Sequence, residues 1–344
     1  MQGYSVLGRA PPLFPAFRAA FPWFGGDLQT IKNNLSWTEP PFAPERQTRL
    51  HLPLHDGTGD TLLGLLDRPP QDTGLPLLIL IHGLTGCEGS RNIMTSAAYF
   101  VACGFPVLRL NLRGAGPSLG LCAEHYHAGR TDDLGAALAA IEGNEKRHGI
   151  VMAGVSLGGN ALLKFAGEDF HGHDVLAVAS ACAPIDLKRA QQRIMSRRNA
   201  LYHRYLITRM KADALTGATD KMAMRKTLAD VHNVFDFDDR VVAPQNGFDG
   251  ALDYYAKCSA QSVLKAIRVP ALLIHARTDP WIPVEMYTER SWREDQQVSA
   301  VISRDGGHVG FHAVNSAAPW HNLCMAEFFL NAVHRASGIH RNGQ

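Results

Sequence analysis

A glycine-rich hexapeptide carries the strongest chemical signal in the sequence. It reads Gly154-Val-Ser-Leu-Gly-Gly159, follows the apolar run Ile150 to Ala153 and precedes the helical pattern Ala161 to Phe165. A serine at such a strand–turn–helix junction occupies a strained turn, and glycine is needed two residues to either side because side chains there would collide. The pattern predicts that Ser156 is a nucleophile exposed at the end of a strand.

A serine nucleophile needs a base to accept its proton and an acid to orient that base. Asp279 follows the apolar strand pattern Ala271 to His275. His308 lies on a glycine-rich loop after the pattern Val298 to Ser303. Both residues come after Ser156, in the order serine, aspartate, histidine that suits the carboxyl edge of a parallel sheet. We expect the three to form a catalytic triad.

Other histidines and aspartates compete for the same roles. Among the 16 histidines, His312 is the nearest rival for the base because it lies four residues after the favoured one. The rival acids are Asp305, Asp238 and Asp239, and none directly follows the strand pattern that precedes Asp279. Position in the chain therefore favours the first pair.

An ester-cleaving serine also needs backbone N–H donors for the negative charge that develops on the carbonyl oxygen. One donor is expected from the residue after the nucleophile, Leu157, and the other from the loop after the third strand. That loop reads Ile81-His-Gly-Leu-Thr-Gly86, so Leu84 is the second candidate for the oxyanion hole.

Short apolar runs alternate with helical patterns from about residue 76 onward, which is typical of βαβ units. Two earlier runs alternate in polarity and predict an antiparallel edge hairpin, whereas the later runs are apolar because helices cover both faces of a parallel sheet. The sequence predicts an α/β fold with a mostly parallel eight-stranded sheet. The expected strands are Arg49 to Leu54, Thr61 to Asp67, Leu77 to Ile81, Pro106 to Leu112, Ile150 to Ala153, Leu176 to Ala181, Ala271 to His275 and Val298 to Ser303.

Strand patterns stop after Pro184, where the chain becomes polar and helix-forming. We interpret residues 184–267 as a helical lid inserted between the sixth and seventh predicted strands. The α/β core then consists of residues 46–183 and 268–344, and residues 1–45 form an N-terminal extension.

Apolar side chains recur in the lid at roughly helical spacing. Such a stripe either packs on the sheet domain or contacts an acyl chain, and the spacing leaves both open. Its members are Met195, Leu201, Tyr205, Leu206 and Met210.

Composition excludes several classes of protein. A chain of 344 residues with 46% hydrophobic and 19% charged residues is typical of a compact globular protein. The net charge of +2 and the scattered basic residues argue against nucleic-acid binding. The six cysteines form no Cys-x-x-Cys, and neither a signal peptide nor an 18-residue apolar run is present, so we expect a cytoplasmic protein. No metal or other cofactor is predicted.

The N-terminal extension is rich in aromatic residues and in prolines that break any apolar helix. The sequence leaves open whether the aromatics contact a membrane surface or cover the mouth of the site, and it leaves the oligomeric state open. The aromatic residues are Phe14, Phe17, Phe21, Trp23 and Phe24.

These motifs resemble those of the YheT-like hydrolases, a family of the α/β-hydrolase fold whose eukaryotic relatives include acylglycerol lipases, phospholipases and medium-chain ester synthases. The resemblance implies an esterase or lipase without a cofactor, and a Ser–Asp–His triad at Ser156, Asp279 and His308. It covers almost the whole chain, and the lid strings and the Gln-Thr-Ile start are its most particular parts. The matching segments are Gly26-Asp-Leu-Gln-Thr-Ile31, His82-Gly-Leu84, Asn111-Leu-Arg-Gly114, Tyr126-His-Ala-Gly-Arg-Thr-Asp-Asp-Leu134, Gly154-Val-Ser-Leu-Gly-Gly159, Phe237-Asp-Asp-Arg240, Ala243-Pro244, Gly247-Phe248, Asp253-Tyr-Tyr255, Asp279-Pro280 and Gly306-Gly-His-Val-Gly-Phe311.

Three functions are consistent with these residues. Hydrolysis of a small-molecule or lipid ester with a short-to-medium acyl chain, such as an acylglycerol, is the favoured one. An acyltransferase would pass the acyl group from the same acyl-serine to an alcohol. A catalytically silent binding module is the third, and an intact nucleophile, acid and base argue against it.

Overall fold

The computed structural model describes residues 3–168, 174–292, 295–336 and 338, and residues 169–173, 293–294, 337 and 339–344 of the predicted core lie outside this part. A nine-stranded sheet, in the order β1-β9-β8-β7-β6-β4-β5-β3-β2, forms its centre. The strands are β1 (Tyr4–Gly8), β2 (Gln47–Pro53), β3 (Thr61–Asp67), β4 (Leu77–Ile81), β5 (Val107–Leu110), β6 (Ile150–Val155), β7 (Val175–Ala181), β8 (Ala271–Ala276) and β9 (Val298–Ser303).

The six central strands, β4 to β9, are parallel, and antiparallel strands close both edges. Successive side chains of one strand enter different apolar clusters on opposite faces: Leu78 and Val151 join one cluster, Ile79 and Met152 the other. This double burial explains why the central strands are apolar throughout.

Helices cover both faces of the sheet. α3 and α4 pack through Leu138 and Leu162 on one side, and α2 and α12 pack through Phe100 and Phe329 on the other. The helices are α1 (Gly25–Leu35), α2 (Arg91–Ala102), α3 (Asp132–Ala140), α4 (Leu157–Gly167), α5 (Leu187–Ile194), α6 (Ala200–Gly217), α7 (Lys221–Ala229), α8 (Val234–Phe237), α9 (Ala243–Gln245), α10 (Ala251–Cys258), α11 (Glu285–Thr288) and α12 (Trp320–Ala336).

All eight predicted strands are present, with bounds that differ by at most two residues. The prediction missed β1, which adds a ninth strand antiparallel to β9, with Tyr4 opposite Ser303. A five-residue edge strand has little apolar pattern of its own, and here its partner lies at the other end of the chain. The N-terminal extension is therefore part of the sheet.

The aromatic residues of the extension divide into two groups. Phe14 and Phe17 are buried, and the Phe17 ring lies 5.4 Å from that of Trp320 on α12. Phe21, which is 82% exposed, packs edge to face with Phe24, which is also exposed. Within the described ranges, no helix combines the length and the apolar character needed to cross a bilayer.

The segment interpreted as a lid contains helices α5 to α10 and lies between β7 and β8. It has an apolar cluster of its own that includes Ile207, Leu228, Val231 and Phe237. A single π-helical turn, Asp238–Val242, joins α8 to α9.

Candidate active site

Ser156 lies on the sharp turn that joins β6 to α4. Its backbone has φ 51° and ψ −125°, a conformation that is unfavourable for a residue with a side chain. A Cβ atom on Gly154 would lie 2.5 Å from the Gly158 carbonyl oxygen, and one on Gly158 would lie 2.2 Å from the His82 carbonyl oxygen. Both glycines are therefore required by close backbone approach, as the sequence pattern predicts.

The structure brings the three predicted triad residues into one hydrogen-bonded chain. His308 Nε2 lies 2.9 Å from Ser156 Oγ, and His308 Nδ1 lies 3.0 Å from Asp279 Oδ2. The other carboxylate oxygen of Asp279 accepts hydrogen bonds from the backbone N–H groups of Trp281 (2.8 Å) and Ile282 (3.0 Å). Asp279 is thus fixed by the turn that follows β8.

The buried carboxyl of Asp279 stays charged because of its partners. Burial alone would raise its pKa, but the charge and hydrogen bond of His308 outweigh that cost and hold the pKa below its ordinary value. A charged acceptor at this place favours the histidine tautomer with a proton on Nδ1, which leaves Nε2 free to accept the Ser156 proton.

The predicted oxyanion donors belong to segments that flank Ser156. Leu157 is the first residue of α4, where backbone N–H groups have no partner within the helix. Leu84 follows Gly83, and a Cβ atom on Gly83 would lie 3.0 Å from Ser156 Cβ. The next residue of this loop, Thr85, donates its N–H to Tyr126 Oη over 2.7 Å.

Ser156 opens on a cavity of about 780 Å³ between the sheet and the lid. Leu84 and Leu157 line it from the core, and Leu206 and Met210 of α6 line it from the lid. The other three members of the predicted stripe, Met195, Leu201 and Tyr205, are exposed and are not part of the lining, so the stripe prediction is wrong for them. Roughly helical spacing alone does not tell which side of α6 faces the core.

The rival residues have other contacts. The backbone N–H of His312 donates to Gln29 Oε1 over 2.6 Å, and burial lowers the pKa of its imidazole to about 4. Asp305 accepts hydrogen bonds from Thr278 Oγ1 and the Gly306 N–H. Asp238 lies in the lid, where it accepts a 2.6 Å hydrogen bond from Tyr255 Oη.

Comparison with known proteins identifies the fold family. Residues 76–312 match the family described as the α/β-hydrolase fold. The chain belongs to this family. It is 30% identical over 292 residues to the YheT protein of Escherichia coli strain K12, which is named as an esterase, and the match covers 83% of each chain.

Two further matches place the hydrolase among its relatives. It is 27% identical to a monoacylglycerol lipase of Saccharomyces cerevisiae over 75% of its own length, and it spans only 59% of that longer protein. The solved structure of a Pyrococcus furiosus esterase shares the fold with a TM-score of 0.56 at 18% identity, over 86% of the hydrolase and 97% of the esterase.

Sequence reasoning missed an aromatic pair beside His308. The Trp281 ring stacks on the His308 imidazole at 4.5 Å between centroids and 18° between planes, and Tyr202 of the lid packs edge to face on Trp281. Trp281 directly follows the Asp279-Pro280 pair, so its proximity to the acid was visible, but nothing in the spacing indicated a stack on His308.

The loop before α3 is hydrogen-bonded to α4, the helix that follows Ser156. Asn160 Nδ2 donates to the Ala128 carbonyl over 3.1 Å, one helical turn after Ser156. Thr131 occupies the N-cap position of α3, and its side chain makes no capping hydrogen bond. Asp133 forms a buried ion pair with Arg113, with 2.6 Å between Oδ1 and Nη2.

One group of three side chains in the described ranges has the types and proximity of a metal site. Cys182, Asp279 and His308 hold their ligand atoms within 4.8 Å of one another. Burial raises the pKa of the Cys182 thiol well above its ordinary value, and the thiolate is the form that binds metals. The other two members already bond to each other, so this group does not suit a metal ion.

Proposed function

We propose that this hydrolase cleaves carboxylic esters through an acyl-serine intermediate, with Ser156 as nucleophile, His308 as base and Asp279 as the orienting acid. The observation that carries the proposal is the continuous hydrogen-bonded chain through these three side chains, which opens on a cavity. That the protein is a carboxylic ester hydrolase follows from its family and from relatives named as an esterase and a monoacylglycerol lipase.

The geometry suits two successive acyl transfers. As Ser156 Oγ attacks the ester carbonyl carbon, its proton passes to His308 Nε2, and Asp279 stabilises the resulting imidazolium. Collapse of the tetrahedral intermediate breaks the bond to the alcohol, which leaves with the proton from His308. Water then attacks the acyl-serine and gives one proton to His308, and the second collapse releases the acid and returns the proton to Ser156.

The oxyanion hole is assigned to the backbone N–H groups of Leu84 and Leu157. Both residues line the cavity with Ser156, and Leu157 N–H lies at a helix N-terminus, where negative charge is stabilised. The Leu84 loop is braced at Thr85 by the Tyr126 hydroxyl and by Arg209 of the lid, whose Nη2 donates to the Thr85 carbonyl over 3.1 Å.

The substrate proposed is an ester or acylglycerol with a short-to-medium acyl chain. A cavity of about 780 Å³ falls within the usual range for small-molecule sites, and its lid wall contains apolar side chains such as Leu206, Met210 and Phe237. We also propose a cytoplasmic location, which the six free cysteines support.

The nucleophile is tested by Ser156→Ala, with Ser180→Ala as the matched control. Ser180 is buried on β7, and its hydroxyl has no hydrogen-bond partner among the described residues. We expect the first change to lower p-nitrophenyl ester hydrolysis by at least about three decades and the control to retain activity within a few-fold. Full activity of Ser156→Ala would refute the assignment.

Analysis of the acyl products of the same reaction, as free acid or as a new ester, separates hydrolysis from acyl transfer to an alcohol. With a primary alcohol added, a hydrolase releases mainly free acid, whereas an acyltransferase releases mainly the new ester, because water and alcohol compete for one acyl-serine. Predominant ester formation at low alcohol concentration would overturn the hydrolase assignment.

A further inference from the structure

Helix α1 of the N-terminal extension contacts the loop that carries His308. Thr30 Oγ1 accepts a 2.8 Å hydrogen bond from the His308 backbone N–H and donates its own proton to the Gly26 carbonyl over 2.6 Å. The Thr30 hydroxyl is thus hydrogen-bonded both to the first turn of α1 and to the main chain of His308.

The neighbouring residue, Gln29, holds the far end of the same loop. Its side chain is fully buried, and Oε1 accepts a 2.6 Å hydrogen bond from the His312 N–H. Its Nε2 donates to the carbonyls of His312 (3.1 Å) and Trp23 (2.6 Å). Consecutive side chains of α1 therefore bond the base loop at two positions four residues apart.

Close backbone packing reinforces these bonds. A Cβ atom on Gly307 would lie 2.4 Å from the Thr30 nitrogen, and one on Gly310 would lie 2.1 Å from the Gln29 carbonyl oxygen. At the loop that carries Asp279, a Cβ atom on Gly26 would lie 1.7 Å from the Thr278 carbonyl oxygen. The helix thus rests directly on the loops of both the acid and the base, and glycine is required at each contact.

We propose that Thr30 and Gln29 are positioning residues for the catalytic base. The N-terminal extension then contributes to the active site by fixing the loop that carries His308. The proposal rests on the assignment of His308 as base. It goes beyond the match to the α/β-hydrolase fold family, which begins at residue 76 and does not include α1.

A small displacement of this loop has a large expected effect. His308 Nε2 must stay within hydrogen-bond reach of Ser156 Oγ, and a misplacement of about 1 Å can cost about a hundredfold in rate. Within the described residues, the His308 backbone N–H has no hydrogen-bond acceptor other than the Thr30 hydroxyl. Loss of the hydroxyl should therefore slow the chemical step, while substrate binding in the cavity is little changed because Thr30 is not part of its lining.

The test compares Thr30→Val, which is nearly isosteric but lacks the hydroxyl, with Thr30→Ser, which keeps it. Thr208→Val is the matched control, because Thr208 is exposed on α6 and its hydroxyl likewise bonds the carbonyl four residues earlier. The measurements are the rate of labelling by a fluorophosphonate probe per folded molecule, kcat and KM for a p-nitrophenyl ester, and the Tm of each variant.

We expect Thr30→Val to label at least about tenfold more slowly, with kcat lowered and KM within about twofold, whereas Thr30→Ser and Thr208→Val behave like the wild type. A wild-type labelling rate in Thr30→Val, or equal slowing in Thr208→Val, would overturn the positioning role. If Thr30→Val does not fold, Thr30→Ala at a temperature well below its Tm gives the same comparison. Ser156→Ala is run in parallel: label that persists in this variant refutes the nucleophile itself, a result distinct from failure of the positioning role.

Discussion

At the scale of single residues, the site depends on one carboxylate whose pKa burial alone would raise. Asp279 keeps its charge because His308 and two backbone N–H groups face its oxygens. In the proposed mechanism, this acid orients the imidazole and stabilises the imidazolium, so it contributes to rate without reacting itself.

We therefore expect Asp279→Asn to lower kcat/KM by about three to four decades, because an amide favours the wrong imidazole tautomer. Asp305→Asn is the control, since Asp305 was the rival acid and bonds Thr278 and Gly306 instead. Circular dichroism and Tm verify folding, and ester hydrolysis gives the rate. Near wild-type activity in Asp279→Asn, or an equal loss in both variants, would remove Asp279 from the triad.

The three proposed triad residues could be selected from the sequence because each follows a strand in a recognisable order. The residues that support them could not. Thr30 and Gln29 bond a loop about 280 residues away, and Trp281 stacks on a ring that local spacing does not place beside it. Such contacts depend on how distant segments pack together, and no local pattern in the sequence indicates that packing.

At the scale of secondary-structure elements, α6 of the lid has two different sides. Leu206 and Met210 are buried and line the cavity, whereas Leu201 on the same helix is 84% exposed. The sequence correctly predicted a helical, partly apolar insertion. It could not assign the inward side because exposed apolar residues interrupt the helical repeat.

We expect Leu206→Ala and Met210→Ala to shift the acyl-chain optimum towards longer esters by enlarging the pocket. Each buried methylene is worth about 0.8 kcal/mol, so the wild type should gain roughly fourfold in kcat/KM per carbon until the pocket is full. A series of p-nitrophenyl esters of rising chain length measures this, with Leu201→Ala as the control on the same helix. A flat wild-type profile, or an optimum that none of the variants moves, would exclude α6 from the acyl site.

At the scale of the whole molecule, a buried acid in the lid links stability to pH. Burial raises the pKa of Asp238 to about 7, although the hydrogen bond from Tyr255 opposes the rise. Between about pH 4 and pH 7 the folded protein retains a proton that the unfolded chain has released, so the contribution of Asp238 to stability falls as pH rises.

The free energy of unfolding of the wild type relative to Asp238→Asn should therefore decrease across that interval, because the amide does not titrate. The change is on the order of 4 kcal/mol at most, since one pKa unit corresponds to about 1.4 kcal/mol. Urea unfolding at a series of pH values measures it, and Asp132→Asn, an exposed residue in the first turn of α3, serves as control. A difference that is constant with pH would show that Asp238 does not titrate in this range.

The fold as a whole was largely predictable, since eight of the nine described strands follow from the sequence, six from apolar runs and two from alternating segments. The extension was the exception. Its strand β1 is short, and the partners of β1 and α1, which are β9 and the His308 loop, come at the other end of the chain.

The central claim is that acyl transfer passes through Ser156, and mapping of a covalent adduct tests it most directly. Trypsin is expected to release the peptide His148–Lys164, in which Ser156 is the only residue with a hydroxyl or thiol group. After treatment with a fluorophosphonate, mass spectrometry should find one adduct, on this peptide, in the wild type and none in Ser156→Ala. An adduct on any other peptide, or one that persists in Ser156→Ala, would contradict the account.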